Sequence, residues 1–572
     1  MRMMFSYLAP FKLRMTIGFS VKFIGTLAEL FIPYLLTYIL ESVIISGQIS
    51  KIVFYGILMV ICAIIASLGN IIANRMAARV TKEFSRTLRR DLFSKTLYLS
   101  ARDVDGFTIP SLESRITSDT YNVQNFIGMM QRMGVRAPIM LLGGIIITLF
   151  MDKALSLVMI ATMPFIFVTV FTISRKGVPL YTDVQKSVDS MVRVVREDAQ
   201  GIRVIKALSK NEYENKRYDK VNYALTKKES KAGIIMGSVN PIMTLLMNLG
   251  IAGVVALAAF RVDKGTSNTA SVIAFMQYFT LISMSMMAIS RMFVMYTKCA
   301  ASAGRIAEVI NTPDNFFVTE DNSPDDSENY ISFENVSFSY LGKKPNLEDI
   351  TLSVKKGGSL GVIGATGSGK TTFIKLLLRF YDSDNGVIKI NGRNITSYTR
   401  EELTSFFGVA LQNDFIYADS VMENIRFGRD ISDLDIFRAA RIAQADEFIT
   451  AFPEGYNHIL SAKGTNISGG QRQRILIARA IAGNPKILIL DDSSSALDYK
   501  TDAALRQAIG NEMKDATVIT VAQRVSSVKN SDLIIVLDHG KIIGMGKHED
   551  LLENCTEYKE ISDSQMGGAI ID

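Results

Sequence analysis

The chain has 572 residues, 48% of them hydrophobic and 21% charged, with a formal net charge of +7. So much apolar material, gathered into long runs with the charge concentrated between them, excludes a single soluble domain and suits a bilayer-spanning part joined to a further domain. Cys62, Cys299 and Cys555 lie far apart with no metal-ligand spacing, a reduced setting suffices for them, and no base-reading motif turns the positive charge toward nucleic acid.

From the amino terminus, Pro10, Lys12 and Arg14 lead directly into a full-length apolar run, so no cleavable signal peptide is expected. Six spans are predicted, at 15–40, 52–74, 137–151 with its start extended, 154–174, 232–260 and 270–297. Runs of roughly 20 residues cross a hydrocarbon core about 30 Å thick as helices. The connections at 41–51, 152–153 and 261–269 are short. The stretches between spans two and three and between four and five are long and basic, with Arg75, Arg79, Arg86, Arg89, Arg90, Arg193, Arg196, Arg203 and Lys206. Positive charge stays inside, so the long stretches, both termini and everything after span six are assigned to the cytoplasm of a cell-membrane protein. Most of these basic residues read as solvated helix faces or as attraction to anionic membrane lipid.

Charges within the spans are few. Lys22 and Glu29 are seven residues apart on nearly one helix face, which permits a cavity-facing pair, or else a snorkelling lysine and a glutamate that meets a neighbouring helix. Span six carries Met276, Met284, Met286, Met287, Met292 and Met295, a composition that accepts varied apolar ligands or simply fills gaps between helices. Domain boundaries follow: 1–310 for the membrane part, the acidic, proline-containing 311–329 as linker, and 330–572 for the last domain.

That last domain carries two glycine-rich loops, each opening a helix. Gly364, Ala365, Thr366, Gly367, Ser368, Gly369, Lys370 and Thr371 match the phosphate-cradling G-x-x-x-x-G-K-[ST] pattern, between the apolar Leu360–Ile363 and a helix from Thr372 to Phe380. Small residues let backbone N–H groups curl around an anion, Lys370 adds a point charge, and the Thr371 hydroxyl suits magnesium. ATP and Mg2+ are the implied ligands. The strand Lys486–Leu490 ends on Asp491, where P-loop enzymes keep the magnesium carboxylate. The second loop is Ser468, Gly469, Gly470 and Gln471, preceded by Ile467.

With these motifs the whole chain resembles the ATP-binding cassette transporters. The resemblance implies an all-α six-helix transmembrane domain of the type IV exporter fold followed by an α/β P-loop nucleotide-binding domain. It also implies that Ser468–Gln471 is the signature loop, which caps a nucleotide bound to the other cassette of a head-to-tail dimer. Tyr340, in the predicted strand 336–340, resembles the aromatic residue that stacks on adenine. Gln412 resembles the glutamine that reaches magnesium and the attacking water. Ser495, Ala496, Leu497 and Asp498 match the loop that crosses the dimer interface, and Ser114, Arg115, Asp119 and Gly201–Lys206 resemble segments beside the coupling helices.

Two positions depart from that family. Asp492 stands where a glutamate normally polarises water, and Gln523 stands where a histidine normally contacts the terminal phosphate. A carboxylate pulled back by one methylene is misplaced by roughly an ångström, worth on the order of a hundredfold in rate, and an amide carries no proton or charge near neutral pH. Intact binding with weakened hydrolysis is similar to the degenerate half of bacterial heterodimeric exporters. It implies a second, non-identical half-transporter with Glu and His at those positions and a small-molecule, hydrophobic or drug-like substrate moved by alternating access. An ATP-gated channel or regulator, an exporter-fold importer, and a homodimeric lipid or peptide exporter are the alternatives.

Overall fold

The computed structural model describes residues 2–264, 269–314, 316–320, 329–340, 342, 344–412, 414–493 and 496–566. Two compact units divide the chain: Met1–Tyr98 with Phe107–Thr312, and Leu99–Gly106 with Pro313–Asp572. Residues 99–106 therefore group with the second unit, although they lie within the long connection after the second span.

The first unit is helical. Its main helices are α1 (Lys12–Tyr38), α2 (Ile49–Leu97), α3 (Thr120–Met133), α4 (Arg136–Met151), α5 (Lys153–Ala207), α6 (Asn211–Gly237), α7 (Val239–Asp263) and α8 (Thr269–Ile310). Among the described residues six helical segments are long and apolar enough to cross a membrane: Met3–Val43, Ile49–Leu97, Ile109–Met151, Lys153–Ala207, Asn211–Arg261 and Ala270–Ile310. The helices run far beyond the predicted apolar cores because the basic connections continue the same helices. On α2, Phe54, Ile57, Val60 and Leu68 are exposed, an apolar exterior that fits lipid rather than water.

Small residues decide how α1 meets α2. Ala66, Gly69, Ala73 and Ala77 form a buried stripe on α2, and a Cβ added at Gly69 would lie 3.1 Å from Gly25 Cα and 3.2 Å from Val21 O. The backbones approach this closely only because neither glycine has a side chain. We expect Gly69→Val to force α1 and α2 apart and destabilise the protein by about 1–3 kcal/mol, the usual cost of overpacking. A thermal unfolding midpoint equal to wild type in detergent would contradict this crossing.

The two-residue connection at 152–153 works because Asp152 caps α5. Its Oδ1 accepts hydrogen bonds from the backbone N–H of Ala154 at 2.9 Å and Leu155 at 3.3 Å, and Arg261 at the end of α7 lies 3.5 Å from the same carboxylate. In the unit's interior the Tyr278 hydroxyl donates to Leu30 O at 2.6 Å, linking α8 to α1.

Lys22 and Glu29 do not pair with each other. The Lys22 ammonium donates to Asn74 Oδ1 on α2 at 3.0 Å, and Glu29 Oε1 accepts from Arg136 at the start of α4 at 2.7 Å. Sharing a helix face is not enough when each group meets a polar partner on a different neighbouring helix. Asp119 is buried and tied to the end of α8, accepting from Arg305 Nε at 2.8 Å and Ser302 Oγ at 2.8 Å.

Among the described residues the second unit contains ten strands: β1 (Asn329–Phe338), β2 (Leu347–Lys355), β3 (Ser359–Ile363), β4 (Asn385–Ile390), β5 (Arg393–Asn394), β6 (Phe407–Ala410), β7 (Ile487–Asp491), β8 (Thr517–Val521), β9 (Leu533–Asp538) and β10 (Lys541–Gly546). One sheet is antiparallel, in the order β2-β1-β4-β5. The other runs β10-β9-β3-β8-β7-β6, parallel from β9 to β6. β7 is buried at all five positions, as the uninterrupted apolar run ILIL requires of a strand covered on both faces. Open parallel sheets bind ligands beyond their carboxyl ends. In this sheet the ends of β3, β6, β7 and β8 deliver the loop at 364, Gln412, Asp491 and Gln523.

Candidate nucleotide-binding site

The loop after β3 is shaped by glycines that no other residue replaces. A Cβ at Gly364 would lie 2.1 Å from Leu537 O, and Gly367 and Gly369 hold φ of +86° and +108°, a region L side chains rarely enter. Gly369 opens α9 (Lys370–Leu377). The Lys370 ammonium arches back to donate to Gly364 O and Ala365 O, both at 2.8 Å. Burial lowers its pKa, opposed by the charges of Asp492 and Asp491. Ser368 Oγ is buried and has no hydrogen-bond partner among the described residues.

A cavity of 360 Å³ opens over this loop, lined among others by Lys370, Thr371, Gln412, Asp491, Asp492 and Gln523. Thr366, Gly367, Gly369 and Thr372 line it too. Asp491 is 2% exposed at the end of β7. Burial is the main cause that raises its carboxyl above the usual range; the adjacent Asp492 charge adds to this and Lys370 opposes it. A buried carboxylate disfavoured by its own desolvation gains from a cation placed beside it. Thr371, Asp491 and Gln412 all line this cavity, and their oxygens fit magnesium, which takes hard oxygen ligands.

Asp492 sits in a left-handed conformation, φ +49°, and its backbone N–H donates to Val521 O at 2.8 Å. Its Oδ2 accepts hydrogen bonds from Gln412 Nε2 at 3.1 Å and from Gln523 Nε2 at 3.3 Å. The two departures from the family pattern are therefore direct partners. Burial, more than any neighbour, raises the Asp492 carboxyl, with Lys370 and Gln412 pulling the other way. The Gln523 loop is held from behind by Gln565, which donates to Gln523 O at 2.8 Å and accepts from the Val525 N–H at 2.8 Å. Nothing in the local sequence marks that brace.

The remaining predicted residues lie elsewhere. Ser468 caps α10 (Gly469–Ile481) in a capping box with Gln471: Ser468 Oγ accepts from Gln471 N at 3.2 Å, and Gln471 Oε1 accepts from Ser468 N at 2.9 Å. Neither these two nor Gly469 and Gly470 line the cavity over the phosphate loop, and a Cβ at Gly469 would meet open space. Tyr340 lies two residues beyond the end of β1, not within a strand. Its ring meets Tyr381 edge-on at 5.1 Å and its hydroxyl approaches Thr372 Oγ1 at 3.4 Å, while the cavity wall near it is built by Lys344, Pro345 and Asn346. Asp498 caps the helix Tyr499–Glu512, accepting from Thr501 N at 2.9 Å. Ser495 falls outside the described residues. His539, in the turn between β9 and β10, reaches the same cavity, a placement its distance from the other motifs in sequence conceals.

Family models match the chain twice: "ABC transporter transmembrane region" over residues 15–286 and "ABC transporter" over residues 347–495. The chain is 32% identical to the uncharacterized ABC transporter ATP-binding protein YfiB of Bacillus subtilis over 564 residues, 98% of each chain. It is 31% identical over 573 residues to an uncharacterized ABC transporter ATP-binding protein of Mycobacterium bovis, covering 99% of this chain and 98% of the relative. Its fold matches the solved structure of a bacterial Atm1-family ABC exporter with ATP bound, with a TM-score of 0.82 at 23% identity over 97% of this chain and 99% of that one. With six described helices long and apolar enough to cross a membrane, an ATP-binding domain and relatives of this identity along nearly its full length, the chain belongs to the ABC transporters, as a multi-pass membrane subunit whose ATPase activity is coupled to transport.

Proposed function

We propose that this chain is the weakly hydrolysing half of a heterodimeric exporter that moves hydrophobic or drug-like molecules out of the cell by alternating access, with both termini and the cassette in the cytoplasm. The observation that carries the reading is the Asp492 carboxylate held between the Gln412 and Gln523 amides at 3.1 and 3.3 Å. A carboxylate that accepts from two amides in a short side chain is restrained from the position a water-polarising glutamate would take. Neither amide supplies the positive charge or proton that a histidine could bring to the terminal phosphate.

In this reading the loop N–H groups from Gly367 to Thr371 and the Lys370 ammonium bind the phosphates of ATP. Thr371, Gln412 and Asp491 hold magnesium, which when bound neutralises charge on the outer phosphates. Tyr340 stacks on adenine. Ser468, Gly469, Gly470 and Gln471 cap the nucleotide of the partner, whose own glutamate and histidine perform most of the hydrolysis. The cost of moving Asp492 out of its two hydrogen bonds is what keeps this site slow. The test is vesicle-based: ATP-dependent flux in sealed inside-out vesicles should be inward and should stop when the partner's glutamate is replaced by glutamine, whereas outward flux or turnover-independent ion current would overturn the exporter reading.

A further inference from the structure

The first unit holds a second cavity, 340 Å³, among α3, α4 and α8. That volume falls within the range of small-ligand pockets. Its walls include Met129, Met133, Met284 and Met287, and two cations, Arg136 and Arg291. Methionine side chains are flexible and polarizable, so this lining accommodates a chain-like apolar group without demanding one shape.

The two arginines differ in one respect that matters. Arg136 is committed to Glu29 at 2.7 Å. Arg291 is exposed and makes no ion pair or hydrogen bond among the described residues. Both lie toward the end of the spans from which the long basic connections emerge: Arg136 opens α4, and Arg291 sits in the second half of α8. A charged side chain at the level of the spans costs free energy, and such residues commonly mark a ligand path. Snorkelling to a headgroup would relieve Arg291 but would not explain why it shares a cavity lining with four methionines.

We propose that this cavity binds an amphiphilic anion, with a carboxylate, phosphate or sulfonate at Arg291 and an apolar chain against the methionines. The assignment rests on the exporter reading and gives its substrate a class. Arg136, which also lines the cavity, is already neutralised by Glu29, and Arg291 supplies the discriminating charge. A guanidinium binds such groups through charge-assisted, often bidentate hydrogen bonds.

The experiment is fluorescence titration of the full-length protein in phosphatidylcholine nanodiscs, without nucleotide, using cis-parinaric acid at pH 8 and its methyl ester. The acid should bind about tenfold more tightly than the ester, the scale of one charge-assisted contact. Arg291→Gln should erase that preference by weakening the acid alone, Arg291→Lys should keep most of it, and Met284→Ala should weaken both probes. Displacement of the acid by added phosphatidylglycerol would identify a lipid as a source of the same chemistry, and its absence would point to a free amphiphile. Equal affinity for acid and ester, or an acid affinity untouched in an Arg291→Gln protein that still binds ATP like wild type, overturns the proposal. Because binding is read without turnover, a failure of ATP-dependent flux would strike the exporter reading and the cavity's role as its substrate site, while the binding of an amphiphilic anion at Arg291 is decided by the titration alone.

Discussion

Replacing Asp492 by Glu together with Gln523 by His raises ATP turnover at this chain's own site by about 10- to 100-fold, since an ångström of misplacement and the loss of a charged donor are each worth effects of that order. The measurement is made in the assembled complex with the partner's glutamate changed to glutamine, so that the signal reports this site. The single substitutions give less than the pair. Asp492→Glu alone leaves an amide at the terminal phosphate, and Gln523→His alone removes the donor at 3.3 Å that now restrains Asp492 without lengthening the carboxylate. Such non-additivity is the signature of groups in direct contact. Turnover unchanged in the double variant would remove the basis for calling the site weak.

Lys370→Ala removes ATP binding rather than hydrolysis. Hydrogen bonds to a charged group contribute about 1.5–3 kcal/mol, so affinity for a fluorescent ATP analogue falls by roughly 10- to 150-fold by the same scale. The substitution also frees Gly364 O and Ala365 O, which the ammonium now satisfies at 2.8 Å, so the loop loses a brace as well as a charge. Asp492→Ala should leave binding within a few-fold of wild type, because in the proposed reading Asp492 serves hydrolysis and the loop with Lys370 serves binding. If Lys370→Ala binds the analogue as wild type does, the cavity over this loop is not where the nucleotide sits.

Much of this was legible in the sequence because it depends on local chemistry. The loop from Gly364 to Thr371 needs glycines at its turns and a lysine after them, and those requirements are written in adjacent residues. The apolar runs that define six spans are equally local, since length and hydropathy alone decide whether a helix can cross a bilayer. The identity of the departures at Asp492 and Gln523 was likewise visible, each at its place in a motif.

What the sequence left open are the choices made by packing. Lys22 and Glu29 share a face of α1, yet a spacing of seven says only which way a side chain points and nothing about which helix stands opposite; Asn74 and Arg136 took them separately. The third segment, Ile109–Met151, is broken between α3 and α4 at 134–135, and the predicted run 137–151 corresponds to α4 alone. Tyr340 reads as a strand residue by its aromatic character, but β1 stops at Phe338 and leaves it against Tyr381.

Neighbouring residues suffice to specify a membrane-spanning chain with a phosphate-binding loop and two positions that depart from the family pattern. That the two departing positions touch is a product of the fold. Gln412 and Asp492 are 80 residues apart and Asp492 and Gln523 are 31 apart. They meet because β6, β7 and β8 lie side by side in a parallel sheet, so that three separate strand ends open at one edge.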